Sequence, residues 1–130
     1  MNKTSMTKYV CFTNLDDMSH EYNLKNDGTL LRFIEKQTPE TCIIAVTQNA
    51  FALQFVKEQT LEICLTAVKN IGRSLQYVKN RTPEICMEAV KQDGWAIEFV
   101  INQTREICLE AVKRTGCAVY YVKNQTPEIC

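Results

Sequence analysis

A 22-residue phrase, repeated without insertion or deletion, constrains this chain more than any other feature. Residues 82–103 read T-P-E-I-C-M-E-A-V-K-Q-D-G-W-A-I-E-F-V-I-N-Q. Steps of 22 recover the phrase, with its threonine at Thr38, Thr60, Thr82, Thr104 and Thr126. Four complete units span 38–59, 60–81, 82–103 and 104–125. A degenerate unit precedes them at 16–37, and 126–130 begins another. Residues 1–15 do not align to the repeat. They are expected to cap the array, with Lys8–Phe12 readable as strand or helix. A helix of eight to ten residues is unstable alone. Units this short must stack and share one elongated core.

Each unit reads as two short helices. The first opens with threonine as N-cap, and Pro39, Pro83 and Pro127 follow at N1, where no N–H is needed. Leu61 and Arg105 take the proline position in the other two units. Glu40, Glu62, Glu84, Glu106 and Glu128 fall in the first turn and Lys69, Lys91 and Lys113 in the last, each with the sign the helix dipole favours. Gly72, Gly94 and Gly116 are expected to stop the helix in a left-handed C′ conformation, with Ala50 a weaker stop. The stripe Ile85, Cys86, Ala89 and Val90 is expected to be buried. The small column Ala45, Ala67, Ala89 and Ala111 points to close approach by a neighbouring helix. The second helix is expected over residues 95–102, burying Ala96, Ile97, Phe99 and Val100. The aromatic column Phe33, Phe55, Tyr77, Phe99 and Tyr121 reads as a stacked core column. Asn80, Asn102 and Asn124, followed by Arg81, Gln103 and Gln125, read as the link to the next unit. In the degenerate unit, Leu24–Gly28 aligns with Val90–Gly94, while His20 stands in the cysteine column and Met18 in that of glutamate. The expected fold is all-α: an α-solenoid of tandem 22-residue two-helix repeats with short helices.

The rest of the sequence works mainly by exclusion. Fifteen basic residues balance fifteen acidic ones, which argues against a nucleic-acid partner or an anionic membrane surface. No apolar run reaches the ~18 residues of a membrane span. The first residues lack the apolar core of a secretory signal, so an intracellular setting is expected. Five of the seven cysteines, Cys42, Cys64, Cys86, Cys108 and Cys130, follow the repeat, which suits buried small hydrophobes better than disulfides or metal ligands. His20 is the only histidine, and with Cys42 one unit on it makes two ligands, too few for a zinc site. No nucleophile-base set and no phosphate-binding glycine loop is present, so neither an enzyme nor a cofactor is expected.

The phrase T-P-E-I-C-x-E-A-V-K-x-x-G-x-A-x-x-Y/F-V-K-N-Q, read over residues 16–130, closely resembles a short helical repeat classed as a domain of unknown function. That repeat is abundant in mimivirus-like giant DNA viruses of amoebae and occurs in bacteria that live inside amoebae. The resemblance implies a helical repeat protein, a viral setting in host cytoplasm or virion, and no catalytic residue. The departures are the degenerate first unit, Leu61 and Arg105 for proline, Ala50 for glycine and Ile101 for lysine.

Positions that vary while their neighbours do not carry the remaining information. One row holds Thr29, Phe51, Arg73, Trp95 and Cys117; a second holds Arg32, Gln54, Gln76, Glu98 and Tyr120. No single core environment suits such a set, so an exposed ridge is expected. Phe51, Arg73, Trp95, Gln54, Gln76, Glu98 and Tyr120 are the candidate contacts for a protein partner. The competing expectation is tolerant surface drift. A structural module that self-associates through the incomplete unit 126–130, as a fragment of a longer array, is the alternative function.

Overall fold

The computed structural model describes residues 17–125, with side chains from residue 22 onward. The expectations for Lys8–Phe12, for the side chains of Met18 and His20, and for Pro127, Glu128, Cys130 and association through 126–130 lie outside the described residues. Among the described residues five α-helices, α1 (Asp17–Asn26), α2 (Pro39–Gln48), α3 (Leu61–Asn70), α4 (Pro83–Gln92) and α5 (Arg105–Arg114), alternate with five 3-10 helices. The latter are η1 (Gly28–Phe33), η2 (Ala50–Phe55), η3 (Gly72–Tyr77), η4 (Gly94–Phe99) and η5 (Gly116–Tyr121). Successive α-helices pack on one another in one layer and successive 3-10 helices in a second. Each of η1 to η4 also packs against the α-helix of the following unit. The described chain is thus an all-helical repeat array.

The α-helices start where the threonines place them. Thr38, Thr60, Thr82 and Thr104 accept the N–H of Thr41, Ile63, Ile85 and Ile107, satisfying a donor that the helix itself leaves free. Their inner faces bury the predicted stripe: Ile63, Cys64, Ala67 and Val68 in α3, and Ile85, Cys86, Ala89 and Val90 in α4.

The second helix differs from its expected form. It is a six-residue 3-10 helix beginning at the glycine, not an α-helix over 95–102. Asp93 caps η4 by accepting the Trp95 N–H at 3.0 Å, and the Val100 N–H closes onto Ile97 O. Three residues per turn sort the side chains into three rows. Gly94, Ile97 and Val100 face inward and are buried, as is Ala96 beside them. Phe99 shares the row of Ala96 but is only half-buried. Trp95 and Glu98 share the outer row. The aromatic column therefore flanks the core instead of filling it: Phe55, Tyr77, Phe99 and Tyr121 are partly buried and Phe33 is 38% exposed.

The glycines are also used differently from expectation. No described residue has a positive φ. Asp93, with φ −148° and ψ 112°, turns the chain out of α4, and Gly94 then starts η4. Glycine is needed for proximity: a Cβ at Gly28, Gly72 or Gly94 would collide with the carbonyl oxygen of Ala45, Ala89 or Ala111 in the next α-helix. Those three alanines are fully buried, which accounts for the predicted close approach. Ala50 occupies the glycine column in one unit and is itself fully buried. The following unit changes with it. Gln48 and Gln92 send Oε1 to the N–H of Gly28 and Gly72, where an added Cβ would crowd that oxygen. Asn70, the residue facing Ala50, is one methylene shorter and directs its Nδ2 to Val46 O and Thr47 O instead.

A second set of side chains ties the linkers together. Gln37 Nε2 donates to Leu31 O of its own unit and Phe55 O of the next, while its Oε1 accepts the Lys57 N–H at 2.9 Å. Gln59 repeats this with Leu53 O, Tyr77 O and Lys79 N–H, and Gln103 with Ile97 O, Tyr121 O and Lys123 N–H. Arg81 substitutes a guanidinium that donates to Val78 O, Gln76 O and Phe99 O. The positions read from sequence as a simple link are clips between neighbouring units.

Overpacking a closed contact costs roughly 1–3 kcal/mol. Gly94→Ala is therefore expected to lower unfolding stability by about that amount in urea melts, although alanine favours helix elsewhere. A neutral or stabilising outcome would show that η4 does not approach α5 as described.

Candidate functional site

The outer row of the 3-10 helices is the surface on which the sequence placed its candidate contacts. Three-residue periodicity sets Phe51 above Gln54, Arg73 above Gln76 and Trp95 above Glu98, each pair one turn apart on its own helix. Arg73, Gln54, Gln76, Glu98 and Tyr120 are exposed, with Tyr120 at 81%. Phe51 and Trp95 are half-buried, less open than a free ridge would make them.

The cause is a diagonal contact from each unit to the next. Phe51 packs edge-on against Tyr77, with ring centroids 6.0 Å apart, and Trp95 does the same with Tyr121 at 5.8 Å. Arg73 Nη2 meets Glu98 Oε2 at 3.4 Å. The Arg32 guanidinium lies 4.7 Å from the centroid of Phe33 and 6.0 Å from that of Phe55, the attractive geometry of a cation over a ring. Gln54 and Gln76 turn Nε2 back to Phe51 O and Arg73 O. Tyr120 stands edge-on to Tyr121. The two variable rows and the aromatic column thus form one surface, its side chains held in place by neighbours one unit away. This diagonal had no direct sign in the sequence beyond the alternation of Phe51, Arg73 and Trp95 in one row.

The cysteine column has a different character. Cys42, Cys64, Cys86 and Cys108 are buried, and Sγ of Cys42, Cys64 and Cys108 points at Oε1 of Gln37, Gln59 and Gln103 at 3.7–3.9 Å. Burial pushes all four thiols above their usual pKa; nearby Thr41 and Arg81 offset this only in part at Cys42 and Cys86. A reactive or metal-binding cysteine needs the opposite shift. Among the described residues no group of three or more His, Cys, Asp or Glu is placed to hold a metal ion. No described helix is long and apolar enough to cross a membrane. An open groove of about 340 Å³ runs between the linkers beside Thr38, Cys42, Lys57 and Thr60, and a smaller one of about 160 Å³ repeats it beside Thr60, Cys64, Lys79 and Thr82. Their walls are caps and clips already engaged within the array.

These thiols set a pH dependence. Below the ordinary thiol pKa of 9.0 both folded and unfolded chains keep the proton. Above it the unfolded chain ionises while the buried thiols do not, so stability falls as pH rises. Alkylation followed by peptide mass analysis is expected to modify exposed Cys117 readily and the four column cysteines only as fast as the chain unfolds. Equal labelling of Cys86 and Cys117 in the native protein would contradict the buried column.

Units of 22 residues, each an α-helix followed by a 3-10 helix and stacked on the next, define a short-repeat helical array. The profile of a family described as a domain of unknown function (DUF4116) matches residues 60–103 and again 82–125. The two matches are offset by one unit and together span half of the chain, which belongs to that family. No curated protein and no solved structure matches it.

Proposed function

We propose that this chain is a non-enzymatic protein-interaction scaffold whose 3-10 face receives a protein partner. The observation that carries the reading is that two variable rows, rich in aromatic and charged residues, fall side by side on that surface. Residues that differ from unit to unit there include Phe51, Arg73, Trp95, Glu98 and Tyr120, while the stripe beneath repeats its residue types. Aromatic and arginine side chains supply much of the energy in protein interfaces, and rigid ones lose little entropy on binding. The diagonal contacts provide that rigidity. The viral resemblance of the repeat supplies the setting of the proposal: an intracellular protein acting in host cytoplasm or in the virion.

Arg73, Gln76 and Tyr120 offer the cleanest test because removing them disturbs the fold least. The Arg73–Glu98 pair is exposed, with side-chain accessibilities of 48% and 35%, and such pairs contribute only ~0–1 kcal/mol. A combined Arg73→Ala, Gln76→Ala, Tyr120→Ala variant is expected to melt close to wild type and to lose proteins that wild type retains in pull-downs. A control with Glu88→Ala and Lys91→Ala on the α-helical side should retain them. Identical bound sets for all three proteins would remove the 3-10 face from consideration.

A further inference from the structure

The outward side of the α-helices carries a charge pattern that the 3-10 face lacks. In α3, α4 and α5 a glutamate, an apolar residue and a lysine follow at i, i+3 and i+7, forming one ridge on the side away from the core. The ridges are Glu62, Leu65 and Lys69; Glu84, Met87 and Lys91; and Glu106, Leu109 and Lys113. In α2 the same places hold Glu40, Ile43 and Thr47. Side by side they make three bands: acidic along the helix N-termini, apolar along the middle and basic along the C-termini. The charged edges are exposed and the middle is half-buried. The apolar band widens over α1 to α3, where Ile44 lies beside Ile43, Leu61 is 49% exposed and Tyr22 71%. Open hollows of about 270 and about 300 Å³ lie on this side, one beside Ile43 and Ile44 and one beside Leu61 and Leu65. Lys91 pairs with Glu88 of its own helix, but Glu62, Glu84, Glu106, Lys69 and Lys113 make no ion pair among the described residues.

We propose that this side is the contact between two copies of the chain, related by a two-fold axis that runs along the array and across its α-helices. The charge pattern selects both the occupant and the axis. A surface acidic at one edge and basic at the other is its own complement when turned over about that axis. Facing helices are then antiparallel, Glu62 and Glu84 meet the second copy's Lys69 and Lys91, and Leu65 and Met87 meet their own counterparts. An axis parallel to the helices would set glutamate on glutamate and lysine on lysine. The contact is centred on α1 to α4, because Glu110 breaks the apolar side of α5, whereas Glu88 is neutralised by Lys91. The apolar band supplies cohesion and the charged edges fix orientation. Ten-residue helices are about 15 Å long and pack about 8–10 Å apart, so four of them present roughly 600 Å² per copy. That places the contact at the lower end of specific interfaces, and the dimer exchanges with monomer. Being isologous, it closes at two. It is separate from the association expected through residues 126–130.

Sedimentation equilibrium of the 130-residue chain over a concentration series tests this. The apparent mass is expected to rise with concentration toward twice the monomer, and the dimer to weaken as salt screens the edges. Glu62→Lys with Glu84→Lys makes both edges basic; Lys69→Glu with Lys91→Glu makes both acidic. Each variant alone is expected to dissociate roughly tenfold or more readily than wild type, because like charges then face each other. An equal mixture should form a mixed dimer, since each variant supplies the charge the other lacks, and that recovery would show both to be folded. A wild type monomeric throughout would give this side to an occupant other than a second copy and overturn the proposal. So would a wild-type dimer indifferent to salt, either variant pairing with itself as wild type does, or a mixture that stays monomeric although both variants melt like wild type. The 3-10 face lies on the opposite side, so the result is independent of the partner-binding test.

Discussion

At three of the described unit boundaries a backbone carbonyl in the middle of an α-helix leaves no room for a side chain on the unit before it. The oxygens of Ala45, Ala89 and Ala111 lie where a Cβ on Gly28, Gly72 or Gly94 would fall. Other features of the unit can be understood from that contact. At these boundaries the start of the 3-10 helix comes close to the next α-helix, its first residue is glycine and the residue it meets is alanine. Close approach brings the glutamine at the α-helix C-terminus within reach of the preceding unit's backbone, where Gln48 and Gln92 bond Gly28 N–H and Gly72 N–H at 2.6 Å. Cohesion then combines burial of a narrow apolar stripe with side chain-to-backbone hydrogen bonds that cross every described unit boundary. Because these bonds link only neighbours, stability accumulates unit by unit, as expected for a one-dimensional array.

Two exceptions to the repeat are paired across a unit boundary. Ala50 replaces glycine, and the facing glutamine is replaced by Asn70, which bonds elsewhere. Arg81 replaces the clip glutamine and can donate but not accept, and the residue whose N–H the glutamine would receive is Ile101, where other units carry lysine. Lys57 and Lys79 additionally send Nζ back to the preceding unit's backbone, a contact isoleucine cannot make. In each case, a change on one side of an interface accompanies a change on the other.

Period, phase and the α-helix were legible in the sequence because each rests on local chemistry: threonine caps, first-turn glutamates, and a stripe at α-helical spacing. The second helix was harder to read. Gly94–Phe99 carries no composition that separates a 3-10 turn from a short α-helix, and the distinction depends on packing against α5. The glycine function was misassigned for a related reason, since a helix stop and a close contact call for the same residue and only the fold distinguishes them. The clips were hidden because Gln59 and Gln103 have the polarity of ordinary linker residues. On the candidate site, the two variable rows could be read from the sequence, but not that Phe51, Arg73 and Trp95 reach across to the next unit. That contact also gives the rows a role in cohesion, so their variation serves two ends: fitting the neighbouring unit and shaping the face open to solvent.

A side chain in one unit thus holds the backbone of the next. Lys57, Lys79 and Lys123 each donate their N–H to a clip glutamine at 2.9 Å, while Ile101 follows the one arginine clip. A hydrogen bond of this sort contributes about 1 kcal/mol net. Residue-resolved amide hydrogen exchange should find the Ile101 N–H exchanging roughly fivefold faster than those three, the factor that corresponds to about 1 kcal/mol. An Arg81→Gln variant should bring it to their level. Protection at Ile101 already equal to that at Lys79, and unchanged by Arg81→Gln, would contradict the account.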